Sequence, residues 1–549
     1  MKYVTRKKKF FNGLVANKVV SCVEKEAVSN DYSDNFQGYI CKKKKICVIG
    51  GGSSGLTAIK ACKEEDLDVV CYEKYDTFGG LWRYHSDDLD GRPSVMKSTV
   101  INTSKEMSSY SDFPPPKEFS NFMHNTSMVE YFKMYAEKFD LLKHIVYKHE
   151  VKKVEKSDDY ETTGRWKITI LDLDKNIEFD DIFDGVMVCV GHHIYPLIPK
   201  FRGLNQFEGK KVHTHSLKTA EGFEDKSVLV IGIGNSAVDA AVEISKVSKK
   251  GQFVYLSTRK GSWIFSRLGP NGIPYDIFFQ KRFFKVLREY DPLHLTDTAL
   301  EFLLNFKFHH ARFGLKPKHR VLSAHITIND ALPNCILSGL VTLKQDVQEF
   351  TKNGVIFEGE EDVAEIDAVV LATGYEIKFP FLPDDILKIS ENELNLYKLV
   401  FPSQLEHPSL AFIGLTQPLG AIFPISEAQS RWFAQLMKGN SQLPPQSEMD
   451  QEIQMRLKLK NDQFVPSLRH MVEVMYIPYM DEIYSEIGAK PNFWKMAFTD
   501  PKLYFTCMFG PCTSYLYRLQ GPHAWEGARE TILTASERIE EAFKTYKRD

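Results

Sequence analysis

The 549-residue sequence has little cysteine, no long apolar run and no excess of charge of one sign. Its nine cysteines, at 22, 41, 47, 62, 71, 189, 335, 507 and 512, never form a C-x-x-C pair. This spacing argues against a disulfide framework, a zinc knuckle and a redox dithiol. It fits a reduced, intracellular chain whose thiols act as small hydrophobes. Lysine and arginine number 70 against 72 acids, for a net charge of −2. No basic field exists to hold nucleic acid, and no acidic tail appears. No stretch reaches the roughly 18 apolar residues that a spanning helix needs. Leu410–Ile425 comes nearest, but Thr416, Gln417, Pro418 and Pro424 interrupt it, and it reads as buried strand and loop.

What is present is globular: 43% hydrophobic and 26% charged residues, within the ordinary range for a soluble fold. At roughly 150 residues per domain the length allows three or four domains, or two large ones. Up to Val23 the chain carries six basic residues and no acid. A disordered extension is expected there, with a presequence or a surface-binding arm as alternatives.

Order begins with the β-rich run Ile46–Ile49. It breaks at Gly50–Gly55, turns helical over Leu56–Glu65, and returns as the β run Val69–Tyr72 ending in Glu73. A second β-α-β unit starts at Val228–Ile231, breaks at Gly232–Ala237, runs helically through Ser245 and re-emerges at Phe253–Leu256. Two further β runs, Val186–Val190 and Ala368–Ala372, read as strands that could return into the first sheet. The fold expected is α/β: two doubly wound, Rossmann-like dinucleotide-binding domains, one inserted in the other. The boundaries read as an extension over 1–45 and the first part of one domain over 46–200. The second domain spans 201–330 with a helical insertion at about 270–320. Residues 331–549 complete the first domain and add a C-terminal helical region.

Gly50, Gly52 and Gly55 spell G-x-G-x-x-G between strand and helix, and Glu73 lies 18 residues past Gly55. The first glycine permits a tight turn, the second a close backbone approach to pyrophosphate, and the third helix–strand packing. Gly51, Ser53 and Ser54 complete a loop whose N–H groups and helix dipole favour phosphate. Glu73 suits the hydroxyls of an unphosphorylated adenosine ribose. The bland alternative is a glycine turn without a ligand. The second unit offers Gly232, Gly234 and Ala237, with Asn235, Ser236, Val238 and Asp239 opening its helix. Its second strand runs into Ser257-Thr258-Arg259-Lys260, not into an acid. A carboxylate there would repel the 2′-phosphate of NADP, whereas the Arg259 guanidinium pairs with it. Two dinucleotides in one chain imply hydride transfer between a nicotinamide and a flavin. Without a dithiol to reduce, dioxygen is the natural electron sink.

Further residues sharpen this. They include Phe78-Gly79-Gly80-Leu81-Trp82, Asn102-Thr103-Ser104-Lys105-Glu106-Met107 and Phe207-x-Gly209-x-x-x-His213. Gly314-Leu315-Lys316-Pro317, Leu371-Ala372-Thr373-Gly374-Tyr375, Gln417-Pro418-Leu419-Gly420-Ala421 and Gly510-Pro511-Cys512 complete the set. On these motifs the chain resembles the animal flavin-containing monooxygenases from about Ile46 to beyond Arg538. Three departures stand out. The family's F-x-G-x-x-x-H-x-x-x-[YF] signature ends in Leu217, about 45 residues precede the first strand, and the hydrophobic C-terminal anchor common in vertebrate members is missing.

The resemblance implies FAD and NADPH as cofactors, with O2 and a small-molecule amine or sulfide as substrates. Oxygen transfer would proceed through a flavin C4a-hydroperoxide that retained NADP⁺ protects. It makes Asn102 the catalytic residue, hydrogen-bonding both the flavin edge and the nicotinamide end, and adds Gly80, Leu81, Trp82, Thr103 and Gln417 to the cofactor contacts. No metal is implied: no carboxylate or cysteine stands at ligand spacing from His192-His193 or His309-His310, and His213 reads as an interdomain hydrogen-bonding residue. A Baeyer–Villiger monooxygenase is the nearest rival, but its usual Trp after the signature His and its charged Arg at the flavin are not evident. An NADPH oxidase releasing H2O2 shares every motif. A flavin-bound redox sensor is the non-enzymatic alternative, against which the Gly232–Ala237 loop and Arg259 argue. By resemblance the setting is the endoplasmic reticulum surface and xenobiotic metabolism, with the cytosol as the alternative location. Membrane contact through 270–320 and self-association stay open.

Overall fold

The computed structural model describes residues 43–544, apart from 90, 250, 292–293, 391–392 and 466–470. The extension expected to be disordered lies outside the described residues up to position 42. In chain order the elements that build the site begin with β1 (Lys45–Ile49), α1 (Ser53–Glu64), β2 (Asp68–Tyr72), β3 (Ile145–Val146) and β4 (Gly185–Val188). Next come β5 (Lys210–His213), β6 (Val228–Ile231), α2 (Asn235–Val247), β7 (Val254–Ser257), α3 (Tyr275–Phe279), α4 (Arg282–Glu289) and α5 (Leu295–Lys307). They continue through β8 (Thr342–Lys344), β9 (Ala368–Leu371), β10 (Leu410–Phe412), β11 (Gln417–Leu419) and α6 (Phe423–Lys438). The last are β12 (Glu473–Met475), α7 (Phe493–Thr499) and α8 (Pro501–Phe509).

Two five-stranded parallel sheets organise the chain, in the orders β10-β4-β1-β2-β3 and β8-β7-β6-β9-β5. Parallel strands are covered by helices on both faces, so they read as unbroken apolar runs. Ile46, Cys47 and Val48 of β1 and Val228, Leu229 and Val230 of β6 are all fully buried. In each sheet the first strand pairs with the strand that follows its helix: Ile49 faces Tyr72, and Ile231 faces Ser257. That register brings each glycine loop level with the end of its neighbouring strand.

Three expectations change. Ala368–Leu371 does not return to the first sheet; as β9 it lies between β6 and β5, with Val228 opposite Ala368 and Lys210 opposite it on the other side. Its place in the first sheet goes to β10, beside β4. A short, wholly apolar run fits the centre of either sheet, and only pairing decides between them. Consequently the second sheet extends past residue 330, taking β8 and β9 from the block assigned to the first domain. Finally, Leu410–Ile425 ends in a helix: Pro424 stands in the first turn of α6, where a missing N–H is harmless.

Helix α6 packs on α1 through small hydroxyl side chains, Ser54 to Ser426 at 3.0 Å and Thr57 to Ser430 at 3.2 Å. Its interior position forces its polar groups to find partners. Glu427 accepts from Ser111 N (2.7 Å) and Ser111 Oγ (2.9 Å). Arg518, 1% exposed, meets Glu427, Glu64 and Asp112 at 3.1–3.2 Å and so ties the C-terminal region into this layer. Between β7 and β8 the chain is helical over α3, α4 and α5.

Candidate functional site

The first glycine loop is closed by an acid. Gly51 N donates to Glu73 Oε2 (2.6 Å) and Tyr75 N to Glu73 Oε1 (2.9 Å), so the carboxylate is clasped at the end of β2. Burial pushes its pKa up, and the backbone donors work against that. Gly50 has φ +100°, and a Cβ on Gly55 would stand 2.0 Å from Gly50 O. A side chain at 55 would therefore force α1 off the strand. The first N–H groups of α1, at Ser53, Ser54 and Gly55, meet no backbone acceptor among the described residues. They remain available to an anion. The Gly80–Trp82 turn packs on this loop: Gly79 N donates to Gly51 O (3.0 Å), and a Cβ on Gly80 would lie 3.1 Å from Gly52 Cα. Leu81 is half-buried within that turn, and Trp82 stands edge-on to Phe423.

The second loop repeats the turn with different chemistry. Gly232 has φ +129°, and a Cβ there would reach 2.5 Å from Ala372 O. Asn235 Oδ1 accepts from Ile328 N (2.7 Å), and Asp239 Oδ1 accepts from Asn329 Nδ2 (2.9 Å). Burial raises the Asp239 pKa to about 6, with Arg267 pulling it back. Ser236 is exposed at the helix start, and Arg259 is exposed just beyond β7 with no ion pair among the described residues. Val238 is turned into the fold. Its side chain is fully buried in the core, and its N–H is taken by Gly234 O at 3.1 Å. The residue holds α2 onto its sheet.

Between the loops, groups from both halves meet around Asn102. Arg267 Nη2 donates to Asn102 Oδ1 (2.7 Å) while Arg267 Nη1 donates to Asp330 Oδ2 (3.2 Å). Tyr275 OH donates to Asn102 O (3.3 Å), and Ser104 N donates to Asp276 Oδ2 (2.6 Å). Burial lifts the Asp276 pKa to about 6. Thr103 Oγ1 pairs with Ser108 Oγ at 2.7 Å. Gln417 lies beside His325, which meets the fully buried Glu473. Burial takes the His192 pKa down to about 4, against the pull of a hydrogen bond with Gln417. His213 Nδ1 accepts from His215 N (3.0 Å), so Nε2 carries the proton and donates to Gly374 O (3.1 Å). Sequence reasoning missed Arg267, Tyr275, Asp276, His325 and Glu473, because they lie in segments without nucleotide motifs and reach the site only through tertiary packing.

A chain that builds one phosphate cradle backed by an acid and a second flanked by an exposed arginine, joined through a shared polar centre, is a two-dinucleotide oxidoreductase. The profile of the family described as "Flavin-binding monooxygenase-like" matches residues 43–549, and the chain belongs to that family. It is 48% identical to human flavin-containing monooxygenase 5 over 505 residues, covering 92% of this chain and 94% of that protein. Against rat dimethylaniline monooxygenase [N-oxide-forming] 2 it is 44% identical over 504 residues, 91% and 93% of the two chains. The solved S-allyl-L-cysteine S-oxygenase from Allium sativum shares the fold, with a TM-score of 0.61 at 21% identity over 84% of this chain and 95% of that one. The protein is thus an NADPH- and FAD-dependent monooxygenase acting with O2 on a small molecule. The cradles fit these cofactors: bare glycines where a Cβ would collide, free helix N–H groups, and an acid or an arginine at the matching strand end.

Proposed function

We propose that this enzyme oxygenates the soft nitrogen or sulfur of small amines and sulfides. The 44% identity to a rat relative named as N-oxide-forming carries the reading, and Arg267 and Tyr275, both hydrogen-bonded to Asn102, set the flavin-side loop for it. The N-oxide named for the rat relative points to the same substrate class. Bound FAD, reduced by NADPH, supplies the oxygen-activating chemistry, so the side chains need only bind, orient and exclude water. Glu73 takes the flavin-side ribose and the N–H groups of Ser53–Gly55 the pyrophosphate, with Gly50–Gly52, Gly80–Trp82 and Thr103 shaping that cradle. Gly232, Gly234, Asn235, Ser236, Ala237 and Asp239 shape the second, where Arg259 takes the 2′-phosphate. Asn102 and Gln417 hold the reacting edges.

Ketone oxygenation is a second reading, and one observation favours it. The Arg267 guanidinium beside Asn102 puts a positive charge where a negatively charged oxygen attacking a carbonyl carbon would be stabilised. Thr214, not Trp, follows His213. Purified enzyme given NADPH, O2 and a thioether, a tertiary amine or a cyclic ketone distinguishes these. Sulfoxide or N-oxide approaching one per NADPH supports the proposal, ester supports the second reading, and H2O2 alone overturns both.

The reading extends to a membrane-surface setting such as the endoplasmic reticulum. No helix among the described residues is long and apolar enough to cross a membrane. Helices α4, α7 and α8 present Phe283, Trp494, Phe498, Phe505 and Phe509 to solvent, Trp494 and Phe498 at 82% and 84% exposure. Phe283 and Phe509 pack 5.2 Å apart, and Lys495 and Lys502 stand exposed nearby. Aromatic side chains rimmed by lysines suit an anionic lipid surface. Trp494→Glu with Phe498→Glu should abolish sedimentation with anionic vesicles while turnover in solution persists.

A further inference from the structure

We propose that Asp276 is the positioning residue that sets Asn102 for reaction. With Tyr275 it clamps the turn that carries this amide, and only its carboxylate form completes the clamp. The inference deepens, and rests on, the reading that Asn102 holds the reacting edge of a cofactor.

The clamp is built on backbone groups. Helix α3 opens with Tyr275 and Asp276, behind an N-cap Pro274 that can offer no side-chain oxygen. Tyr275 OH donates to Asn102 O (3.3 Å), and Ser104 N donates to Asp276 Oδ2 (2.6 Å). Two consecutive residues of the helix thus hold the carbonyl before Thr103 and the N–H after it, from 173 and 172 residues away in sequence. Both peptide groups flanking Thr103 are fixed, and with them the direction in which the Asn102 side chain leaves the chain. Arg267 holds the far end of that side chain, at Oδ1 (2.7 Å). The second oxygen of Asp276 is occupied as well, since Ile277 N donates to Oδ1 at 2.9 Å. A carboxylate accepts at both oxygens. A carboxylic acid or an amide must turn an O–H or an NH2 toward one of the two donors.

That need accounts for an otherwise unfavourable residue. Asp276 is 1% exposed, and no cation neutralises it. The charged side chains of the two segments that meet here are engaged elsewhere: Arg267 with Asp330, Arg282 with Asp481, Glu106 with Arg538, Lys105 at Phe119 O, and Lys281 over the Phe278 ring. Tyr275 stays protonated, because burial pushes its hydroxyl pKa up. Burial raises the Asp276 pKa to about 6, against the Ser104 N–H and hydroxyl and the Ile277 N–H, which favour the anion. A neutral side chain would be easier to bury. An acid kept at the expense of stability, beside the amide of the site, argues for a role in activity.

The test is Asp276→Asn, which keeps the shape and sets an NH2 against one of the two N–H groups. Flavin reduction by NADPH is followed by stopped flow without oxygen. In the native holoenzyme the rate should fall below about pH 6. In Asp276→Asn it should be about tenfold slower at pH 8, the order of loss for a slightly misplaced reacting pair, with no step near pH 6. The visible circular dichroism of bound flavin should change between pH 8 and pH 5 in the native protein and not in the variant. Stability should move the other way. The folded pKa lies above the usual 3.8, so the stability this group contributes falls as pH rises from about 4 to 6 and is lowest above 6. Asp276→Asn should therefore melt no lower than the native protein at pH 8. A lower melting temperature, a step near pH 6 that persists in the variant, or a native rate at pH 8 each overturns the inference. Tyr275→Phe opens the other side of the clamp and leaves the carboxylate, so it should slow reduction and keep the step; loss of the step there also overturns it. Asn102→Ala separates the two readings. If it reduces flavin at the native rate, the site reading itself fails; if it is slow while Asp276→Asn is not, the inference fails alone.

Discussion

The two glycine loops are built on one plan, and three of their differences bear on ligand binding. Subtracting 182 aligns them: Gly232 with Gly50, Gly234 with Gly52, Ala237 with Gly55, and Asp239 with Thr57. The third position is a glycine in one and an alanine in the other, the adjoining strand ends in Glu73 or leads to Arg259, and the helix carries a neutral hydroxyl or a half-buried acid. In the first loop the acid is clasped by backbone N–H groups. In the second the arginine is exposed and without an ion pair among the described residues.

The comparison breaks most sharply at the third glycine. Gly55→Ala should leave the purified protein without bound flavin, a loss of affinity of about 100-fold or more, because its Cβ would meet Gly50 O at 2.0 Å. Ala237→Gly should change NADPH binding little. Absorbance at the flavin bands and NADPH titration read both. The strand ends come next. Arg259→Ala should raise KM for NADPH about 10- to 100-fold, the worth of a charge-assisted pair, and leave KM for NADH unchanged. Equal effects on both coenzymes would remove Arg259 from the 2′-phosphate.

The smallest effect lies in the helices. Asp239 has a folded pKa raised to about 6 from 3.8. Below pH 4 both folded and unfolded chains carry the proton; between pH 4 and 6 only the folded one keeps it. Folding stability from this residue therefore falls as pH rises through that window and is lowest above 6. Asp239→Asn should be more stable than the native protein by about 1–2 kcal/mol at pH 8. The gain should vanish near pH 4, as read by thermal unfolding without coenzyme. Thr57→Val in the first helix should show no such pH dependence.

Both loops, Glu73 and Arg259 were readable in the sequence because a phosphate cradle is local: turn, helix start and next strand lie within about 30 residues. Sheet membership was less so. β9 is as apolar as any strand of the first sheet, and only its pairing with β6 and β5 reveals which sheet owns it. The partners of Asn102 and Gln417 were hidden for a related reason. Arg267 and His325 lie 165 and 92 residues from the amides they hold, and no spacing rule reaches that far. Val238, a motif neighbour, has its side chain in the core, a placement that the glycine spacing does not announce.

The order of the strands also dictates an order of assembly. The second sheet is complete once Leu371 has been made, whereas the first, begun at Lys45, still lacks β10, α6 and the cation that sits among Glu64, Asp112 and Glu427. During synthesis the later-starting half can therefore close on itself while the earlier one waits, and the flavin finds a finished berth only after Arg518 has left the ribosome.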